Sequence, residues 1–442
     1  MEATHSYTFI DDQWASRSGD RAKFESLAST HIGLCSAVNN IAHRRDEIHA
    51  FYTAITSCNF HELLGTRSES ARNSLVSGGG GYTSLSAWMS AMGETVERYS
   101  ALHTPYDHLI VNTWENLSTA AVTPTDCALF AGPQYATPGF KYVPFTEQTR
   151  TSWVEGIDLH KGRSALLPAQ LVYLDQVHDD CDRIGYSTSN GLACGTNRSE
   201  AVVSALFEAA ERDAVMTAWH ARLRPPRLDL HSDPRIANLL DLYMSHAPVE
   251  ITALDLTEVN GFPVCLAIVR SPQRAPGYFG IGAASRASIK EAAHKALEEA
   301  FHTLAYTQNL YFSGRRVADP AEVRTLEDHV AFYAEPCNMS NVDLLVDGER
   351  MVGFADDANL PNDSPRALVR AMVARLNEHG VDVFAADVTS PDIADAGLSV
   401  VKVYCPQLLP LGIGSTTQFL GGSRLASILD GASPNSDPHP FP

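Results

Sequence analysis

The sequence predicts an α/β protein with α+β character, in which β-sheets are flanked by helices. Short runs rich in Val, Ile and Tyr, which are typical of strands, occupy residues 249–256, 262–269, 381–388 and 398–404. Between them, residues 365–379 place Leu368, Met372 and Leu376 at helical spacing. A third observation is a pattern of alanines and acids, also at helical spacing, that occurs three times.

Composition and charge limit the possible functions. With 442 residues and 44% hydrophobic content, the chain can bury a large core, as one domain or two lobes. Its formal net charge of −19 opposes nonspecific binding to nucleic acid or to an anionic membrane. No apolar run approaches the roughly 20 residues of a membrane helix, and the start does not resemble a signal peptide. The sequence therefore predicts a cytoplasmic protein.

The eight cysteines are scattered and include no Cys-x-x-Cys pair. This distribution argues against a zinc module and against a disulfide framework.

The remaining elements follow along the chain. A helix is predicted at 37–56, and a less regular region at 109–176 contains the short apolar runs 165–167 and 171–174. Helical sequence extends to Leu429, after which alternating prolines favour an extended tail. We predict three parts, namely an N-terminal segment at 1–70, a catalytic domain at 71–430 and a Pro-rich tail at 431–442.

The repeated pattern is Ala-x-x-x-Ala-x-x-Glu-x-x-(Glu or His). Offsets of four, seven and ten residues share one face of a helix, so the acids lie beside the small alanines. Like charges three residues apart repel each other, and burying them unpaired costs still more, so nearby cations are expected. The copies are Ala87, Ala91, Glu94 and Glu97; Ala201, Ala205, Glu208 and Glu211; and Ala292, Ala296, Glu299 and His302.

Glycines precede each copy, at 78–81, at 191 and 195, and at 277, 280 and 282. Asn197 with Glu200, and Ser288 with Glu291, have the spacing of capping boxes. Each copy is therefore predicted to be a glycine-rich loop followed by a helix. Glycine lets a backbone approach a ligand, and helix N-termini attract phosphate.

Two metal-binding hypotheses compete. Glu299-x-x-His302 beside Glu-x-x-Glu pairs is typical of di-iron helical bundles, but such bundles need four long adjacent helices. The other hypothesis is a nucleotide site in which the acids hold Mg²⁺, which prefers oxygen ligands.

Cations four residues from an acid favour the nucleotide hypothesis. Arg98 and Arg212 follow Glu94 and Glu208 at this spacing, and Lys295 precedes Glu299. Each pair could be a surface salt bridge, or the cation could bind phosphate while the acid holds metal. The sequence has no Walker A loop and no kinase motif set, so such a nucleotide site would belong to an uncommon fold.

Three separated segments resemble the signatures of the YcaO family. They contain AWMSAMGETVERY at 87–99, STSNGLACG at 187–195 continuing to residue 214, and GIGA at 280–283 continuing to KALEEA at 295–300. The resemblance extends from about residue 70 to the C-terminus. It implies a YcaO-type fold with sheets flanked by helices around an ATP cleft.

The resemblance also implies an ATP- and Mg²⁺-dependent enzyme that activates a peptide-backbone amide. It assigns nucleotide binding to Arg212, Lys295 and Glu200, although Glu200 also has the spacing of a capping residue. Lys295 stands where the family usually has arginine, so it lacks the bidentate fork. The implied metal ligands are Glu94, Glu97, Glu208, Glu211 and Glu299.

The tail Pro438-x-Pro440-x-Pro442 resembles the C-terminus of azoline-forming cyclodehydratases. In that branch, a Cys, Ser or Thr of a ribosomal precursor peptide attacks the preceding carbonyl. The amide oxygen is then phosphorylated and leaves, and a thiazoline or oxazoline results. The terminal carboxylate of Pro442 is the implied general base.

The same resemblance sets the expected partners and the alternatives. Nothing in residues 1–70 matches an E1-like or leader-peptide-binding domain, so a separate partner protein is expected, within a homodimer or a hetero-complex. Thioamide or amidine synthesis is the alternative chemistry. A catalytically idle scaffold would have lost metal acids, whereas all five are present.

Overall fold

A computed structural model describes residues 9–10, 14, 20–29, 31, 33–41, 50–66, 76–117, 119–175, 180–244, 249–354 and 359–441. The described strands are β1 (Cys35–Ile41), β2 (Phe51–Ser57), β3 (Val76–Gly81), β4 (Ile110–Thr113), β5 (Arg150–Asp158), β6 (Arg163–Pro168), β7 (Leu192–Gly195), β8 (Arg227–Leu228), β9 (Glu250–Asp255), β10 (Val264–Arg270), β11 (Phe279–Ser285), β12 (Met351–Val352), β13 (Phe384–Asp387) and β14 (Ser399–Tyr404).

Helices of very different length connect these strands. The described α-helices are α1 (Asp20–Leu27), α2 (Phe60–Leu64), α3 (Ser84–Leu102), α4 (Gly132–Tyr135), α5 (Arg198–His220), α6 (Pro234–Met244), α7 (Thr257–Asn260), α8 (Ile289–Phe312), α9 (Leu326–Tyr333), α10 (Asp343–Val346), α11 (Pro365–Glu378), α12 (Pro391–Asp395) and α13 (Ser423–Leu429). None of them is long and apolar enough to cross a membrane.

The strands form three sheets. The first has the order β1-β2-β3, the second β4-β5-β13-β14-β7 with β6 also paired to β5, and the third β11-β10-β9-β8-β12. Neighbouring strands are antiparallel except for β8 and β12. Buried apolar residues from all three sheets and from the long helices α3, α5 and α8 make up the core. The mixed architecture predicted from the sequence is therefore confirmed.

Most of the predicted elements are present with small shifts at their ends. The four predicted strands correspond to β9, β10, β13 and β14, and the helix predicted at 365–379 is α11. The helical sequence before the tail is α13, which ends where Asp430 adopts a left-handed conformation with φ of 45°. The predicted boundary near residue 70 falls between β2 and β3, which pair with each other, and the three-part division stays a prediction.

The helix predicted at 37–56 is wrong. Its described ends are the strands β1 and β2, which pair in antiparallel register with Val38 opposite Ile55. Tyr52, Thr53 and Ile55 are β-branched or aromatic residues that become buried when β2 lies between β1 and β3. Residues 42–49 lie outside the described part of the chain.

Most of the glycines predicted to form loops lie in strands, whereas Gly191 and Gly277 lie in turns, as predicted, with φ of 72° and 76°. Glycines 78–81 lie in β3, Gly195 in β7, and Gly280 and Gly282 in β11. A Cβ atom on Gly79 would lie 2.2 Å from the carbonyl oxygen of Ala87, and one on Gly282 would lie 2.3 Å from the amide nitrogen of Ala300. No side chain fits there, so α3 and α8 lie directly on the strands that precede them.

The alanines of the repeated pattern form the helix side of these contacts. Ala87, Ala201 and Ala292 are fully buried, as are the second alanines of the three copies. Small residues on both sides let helix and strand approach closely, and the acids emerge on the same face farther along each helix. The repeat therefore encodes three strand–helix units.

Candidate active site

The acids of the three strand–helix units line one cavity of about 2780 Å³. All the described residues predicted for the site line it: Glu94, Glu97, Glu200, Glu208, Glu211, Arg212, Lys295 and Glu299. They come from α3, α5 and α8, which are distant in sequence. The predicted site residue Pro442 lies outside the described part of the chain.

On α3, the carboxylate of Glu94 is held by its cation and by β3. Its Oε1 lies 2.5 Å from Nη2 of Arg98, and its Oε2 accepts a hydrogen bond of 2.7 Å from the amide of Gly78. Arg98 also donates to the carbonyl of Val76 at 3.0 Å. One turn away, burial raises the pKa of Glu97 well above its usual range, and the charges of Glu208 and Glu94 raise it further.

On α5, Arg212 lies between two acids. Its Nε is 3.5 Å from Oε1 of Glu208 and 3.5 Å from Oε1 of Glu211. Burial raises the pKa of Glu211 to about 8, although Arg212 opposes the shift, and burial also raises the pKa of Glu208. Burial alone would lower the pKa of Arg212, but Glu211, Glu208 and Glu299 outweigh it and hold that pKa above its ordinary value.

The guanidinium of Arg212 has unused donors. Its Nε and Nη1 are buried and find no hydrogen-bond partner among the described residues. Buried donors without acceptors are costly, and phosphate oxygens match a guanidinium fork. The arrangement therefore fits an anionic ligand such as a nucleotide phosphate.

On α8, the ion pairing differs from the predicted one. Lys295 makes its short contact with Oε1 of Glu298, whereas Oε1 of Glu299 is 3.8 Å away. Residues at i+3 and i+4 lie on the same side of a helix, so the predicted pair with Glu299 exists at the longer distance beside the pair with Glu298. Glu299 therefore keeps a carboxylate that faces the cavity and is 35% exposed.

His302 does not join the acids. Its ring stacks on Tyr52 with 5.3 Å between centroids, and it packs against Gly78 and Gly80 of β3. Burial lowers its pKa to about 4, so it is neutral near pH 7. Glu299 and His302 therefore both line the cavity, but the His302 ring packs on Tyr52 and β3 instead of pairing with the acids.

The cavity has the donor chemistry that Mg²⁺ prefers, but the carboxylates do not form a preassembled metal site. Among the described residues, no three His, Cys, Asp or Glu side chains converge closely enough to hold a metal ion. They are turned instead toward Arg98, Arg212 and Lys295. The raised pKa values of Glu97, Glu208 and Glu211 reflect buried negative charge that a divalent cation would neutralise.

Glu200, which begins α5, serves as part of the helix cap. Its amide donates to the side chain of Asn197 at 2.9 Å, which confirms the predicted N-cap. Its carboxylate accepts a 2.6 Å hydrogen bond from Thr196 rather than from the Asn197 backbone. Asn197 therefore caps the helix while Glu200 still lines the cavity.

Lys402 is a residue beside the cavity wall that was not predicted from the sequence. This lysine lies on β14, is 2% exposed, and donates to the carbonyls of Thr188 and Asn190. Burial lowers its pKa to about 8, although Glu208 and Glu97 oppose the shift. The available signal was a single lysine inside the run Val400, Val401, Val403, where a charge is unusual.

The described part of the Pro-rich tail, up to Phe441, reaches the cavity. Tyr333 donates to the carbonyl of Pro438 at 2.6 Å, and the ring of His439 stacks on His329 with 3.9 Å between centroids. The ring of Phe441 is 2% exposed and lies 4.8 Å from Cζ of Arg212. The tail therefore ends beside the guanidinium that has unused donors.

The fold and the cavity define a nucleotide-binding class built from three strand–helix units. Residues 78–409 match the model of a family described as YcaO cyclodehydratase, binding ATP and Mg²⁺. The chain belongs to this YcaO family, as its motifs predicted. ATP and Mg²⁺ are accordingly the cofactors of its family.

Other proteins have a similar sequence or a similar fold. An uncharacterised protein of Methanothermobacter thermautotrophicus is 27% identical over 344 residues, which cover 75% of this chain and 80% of that protein. A heterocyclase in complex with substrate and cofactor has a TM-score of 0.76 at 21% identity, covering 99% of this chain and 60% of the other. This chain thus spans less than two thirds of that heterocyclase.

Two further solved structures are similar. YcaO from Methanopyrus kandleri, bound with AMPPCP and Mg²⁺, has a TM-score of 0.62 at 19% identity and covers 89% of this chain and 91% of its own. The E. coli microcin synthetase McbBCD complex has a TM-score of 0.52 at 15% identity and covers 92% of this chain and 96% of its own. At these identities the similarity establishes the shared fold.

Binding of Mg²⁺ and nucleotide is expected to release protons below about pH 8. Because the pKa of Glu211 is raised to about 8, this carboxyl keeps its proton near pH 7, whereas Mg²⁺ binds the ionised form. The apparent affinity should therefore rise with pH up to about 8 and change little above it. Calorimetric titration with Mg²⁺ and AMPPCP in buffers of different ionisation enthalpy counts the protons released.

Glu211→Gln is the control for this titration, because it has no proton to release at that position. The variant should release fewer protons than the unaltered protein. Equal observed heats in all buffers for the unaltered protein would contradict the expectation.

Proposed function

We propose that this chain is the catalytic subunit of an ATP-dependent cyclodehydratase. Its substrate would be a ribosomally made precursor peptide in which Cys, Ser or Thr becomes a thiazoline or oxazoline. The observation that carries the proposal is Arg212, whose Nε makes only 3.5 Å ion-pair contacts with Glu208 and Glu211 while its buried Nη1 has no hydrogen-bond partner among the described residues, beside the ring of Phe441. A buried cation beside the tail and inside the cavity suits binding of a phosphate during phosphoryl transfer to an amide oxygen.

The size of the cavity supports a second substrate beside the nucleotide. Its volume of about 2780 Å³ exceeds the roughly 300–1,000 Å³ of a typical small-ligand pocket. The lining continues along α8 from Lys295 past Tyr306 to Ser313. A segment of extended peptide can therefore occupy the cavity together with ATP.

The proposed chemistry requires an oxygen to leave as phosphate. The thiol or hydroxyl adds to the preceding carbonyl carbon, and the oxygen formed there takes the γ-phosphoryl group of the substrate ATP. Loss of phosphate forms the C=N bond of the ring, so the products are azoline, ADP and phosphate. Amide oxygen alone is a poor leaving group, and its phosphorylation supplies the driving force.

We assign roles in this reaction to the residues of the cavity according to their charge. Arg212 and Lys295 would bind phosphate oxygens, where negative charge develops during transfer. Glu200 would contact the nucleotide at the start of α5. The carboxylates that would hold Mg²⁺ are Glu94, Glu97, Glu208, Glu211 and Glu299. The bound Mg²⁺ ions would neutralise the charge of the phosphates.

We further propose that a separate protein captures the leader of the precursor peptide. The McbBCD structure, whose fold is similar, is a complex of several subunits. A complex of several subunits agrees with the expectation from the sequence that one protein binds the leader peptide while this chain carries out the chemistry. The isolated chain should then cyclise peptide weakly or not at all.

Mass spectrometry of a candidate precursor peptide tests the function. Incubation with ATP, Mg²⁺ and the partner should remove one water mass for each ring formed, with one ADP released per ring. An exchange of oxygen for sulfur would indicate thioamide synthesis instead. Efficient leader-dependent cyclisation by the single chain would overturn the need for a partner, and ATP binding without any modification would overturn the activity.

A further inference from the structure

Lys402 joins β14 to the loop at residues 187–191, which forms part of the cavity wall. Its Nζ donates to the carbonyl of Thr188 at 2.9 Å and to that of Asn190 at 2.6 Å. Its side chain is almost completely buried although it carries a charge. The lysine therefore fixes two backbone oxygens that would otherwise need other donors.

The adjacent residue of β14 holds the same loop. Val403 donates its amide to the carbonyl of Gly191 at 2.7 Å. Gly191 has φ of 72°, and a Cβ atom there would lie 2.4 Å from the carbonyl oxygen of Val403. Strand and loop are thus in close contact at two consecutive residues. The loop residues from Ser187 to Asn190 line the cavity.

The ammonium of Lys402 also acts on two of the acids. It interacts electrostatically with Glu208 of α5 and with Glu97 of α3. These carboxylates belong to different strand–helix units. Arg98, Arg212 and Lys295 each pair with acids of their own helix instead.

We propose that Lys402 is a positioning residue for the Mg²⁺–nucleotide site. It holds the 187–191 loop, whose residues 187–190 line the cavity, against β14. This inference rests on the proposed function, because it assigns to Lys402 the geometry in which the nucleotide is bound.

A purely structural lysine would behave differently when it is replaced. Methionine has similar length and no charge, and it leaves the carbonyls of Thr188 and Asn190 without their donor, which is destabilising. A structural role would therefore change the unfolding midpoint and leave nucleotide affinity unaltered. A positioning role changes the affinity while the fold persists.

The test compares Lys402→Met with Lys161→Met, a matched substitution of a half-exposed lysine on a surface turn. We expect Lys402→Met to raise the Kd for AMPPCP with Mg²⁺ about tenfold, because hydrogen bonds to charged groups are the stronger ones. Hydrogen exchange of residues 187–192 should become faster. Lys161→Met should change neither quantity, and Lys402→Arg, which keeps the charge, should recover part of the affinity.

Each outcome decides the inference. A Kd for Lys402→Met equal to that of the unaltered protein overturns it, whatever the change in stability. If the methionine variant does not fold, Lys402→Gln carries the same comparison. An unaltered chain that binds no Mg²⁺–AMPPCP overturns the proposed function and this inference together, whereas normal binding with an unaffected Lys402→Met overturns only the latter.

Discussion

Replacing Arg212 with lysine is expected to lower the rate of azoline formation by about 10²-fold or more. The substitution keeps the positive charge that balances Glu208 and Glu211, so the fold should persist. It removes the planar fork, whose buried Nη1 has no hydrogen-bond partner among the described residues. Arginines that contact a transferring phosphoryl group contribute about 10³–10⁵-fold to the rate in related chemistry.

The measurement is the rate of ADP release coupled to water loss from the peptide. Arg198→Lys on the same helix is the matched control, since Arg198 pairs with Asp387 and lies outside the cavity lining. The control should retain the rate of the unaltered protein within about twofold, as surface ion pairs contribute little. Equal rates for Arg212→Lys and the unaltered protein would exclude a role for Arg212 in phosphoryl transfer.

The repeated helices could be predicted because their information is local. Offsets of four, seven and ten residues put Ala87, Ala91 and Glu94 on one face whatever the surroundings. The small residues on that face then indicate close packing, and the acids follow at its end. The same reasoning predicts that the acids of all three copies meet at one site, and the structure confirms that they line one cavity.

The glycine segments could not be assigned in the same way. Glycine lowers strand propensity, so four glycines in a row favour a loop when judged alone. β3 exists because β2 supplies its hydrogen bonds and α3 lies directly on it, with Ala87 within reach of Gly79. Both contacts are tertiary, and neither is visible in the spacing of the glycines.

The partners within the ion pairs could not be predicted from the sequence either. Helical spacing brings both Glu298 and Glu299 near Lys295, but side-chain rotamers decide which of them is bonded. Lys402 approaches Glu97 and Glu208 only because β14 pairs with β7 beside the 187–191 loop. The sequence indicates that a lysine inside a run of valines is unusual. The strand pairing within the second sheet determines which groups that lysine contacts.

The tail provides the second large expected effect. Its anchoring is specific: Trp219 donates to the carbonyl of Asp437, Tyr333 to that of Pro438, and His439 interacts through Nε2 with the carbonyl of Gly412. Phe441 is then fixed over Arg212. We propose on this basis that the terminal carboxylate acts as general base near the transferred phosphoryl group.

Adding one glycine after Pro442 is therefore expected to lower the cyclisation rate by about 10²–10⁴-fold, the usual contribution of a general base. Binding of AMPPCP with Mg²⁺ should change far less, because Arg212 and the acids are untouched. A glycine inserted beside Gly431, in an exposed turn upstream of the anchored residues, is the control and should leave the rate unaltered. If the extended chain cyclises peptide as fast as the unaltered one, the terminal carboxylate takes no part, and the tail serves only to place Phe441 against Arg212.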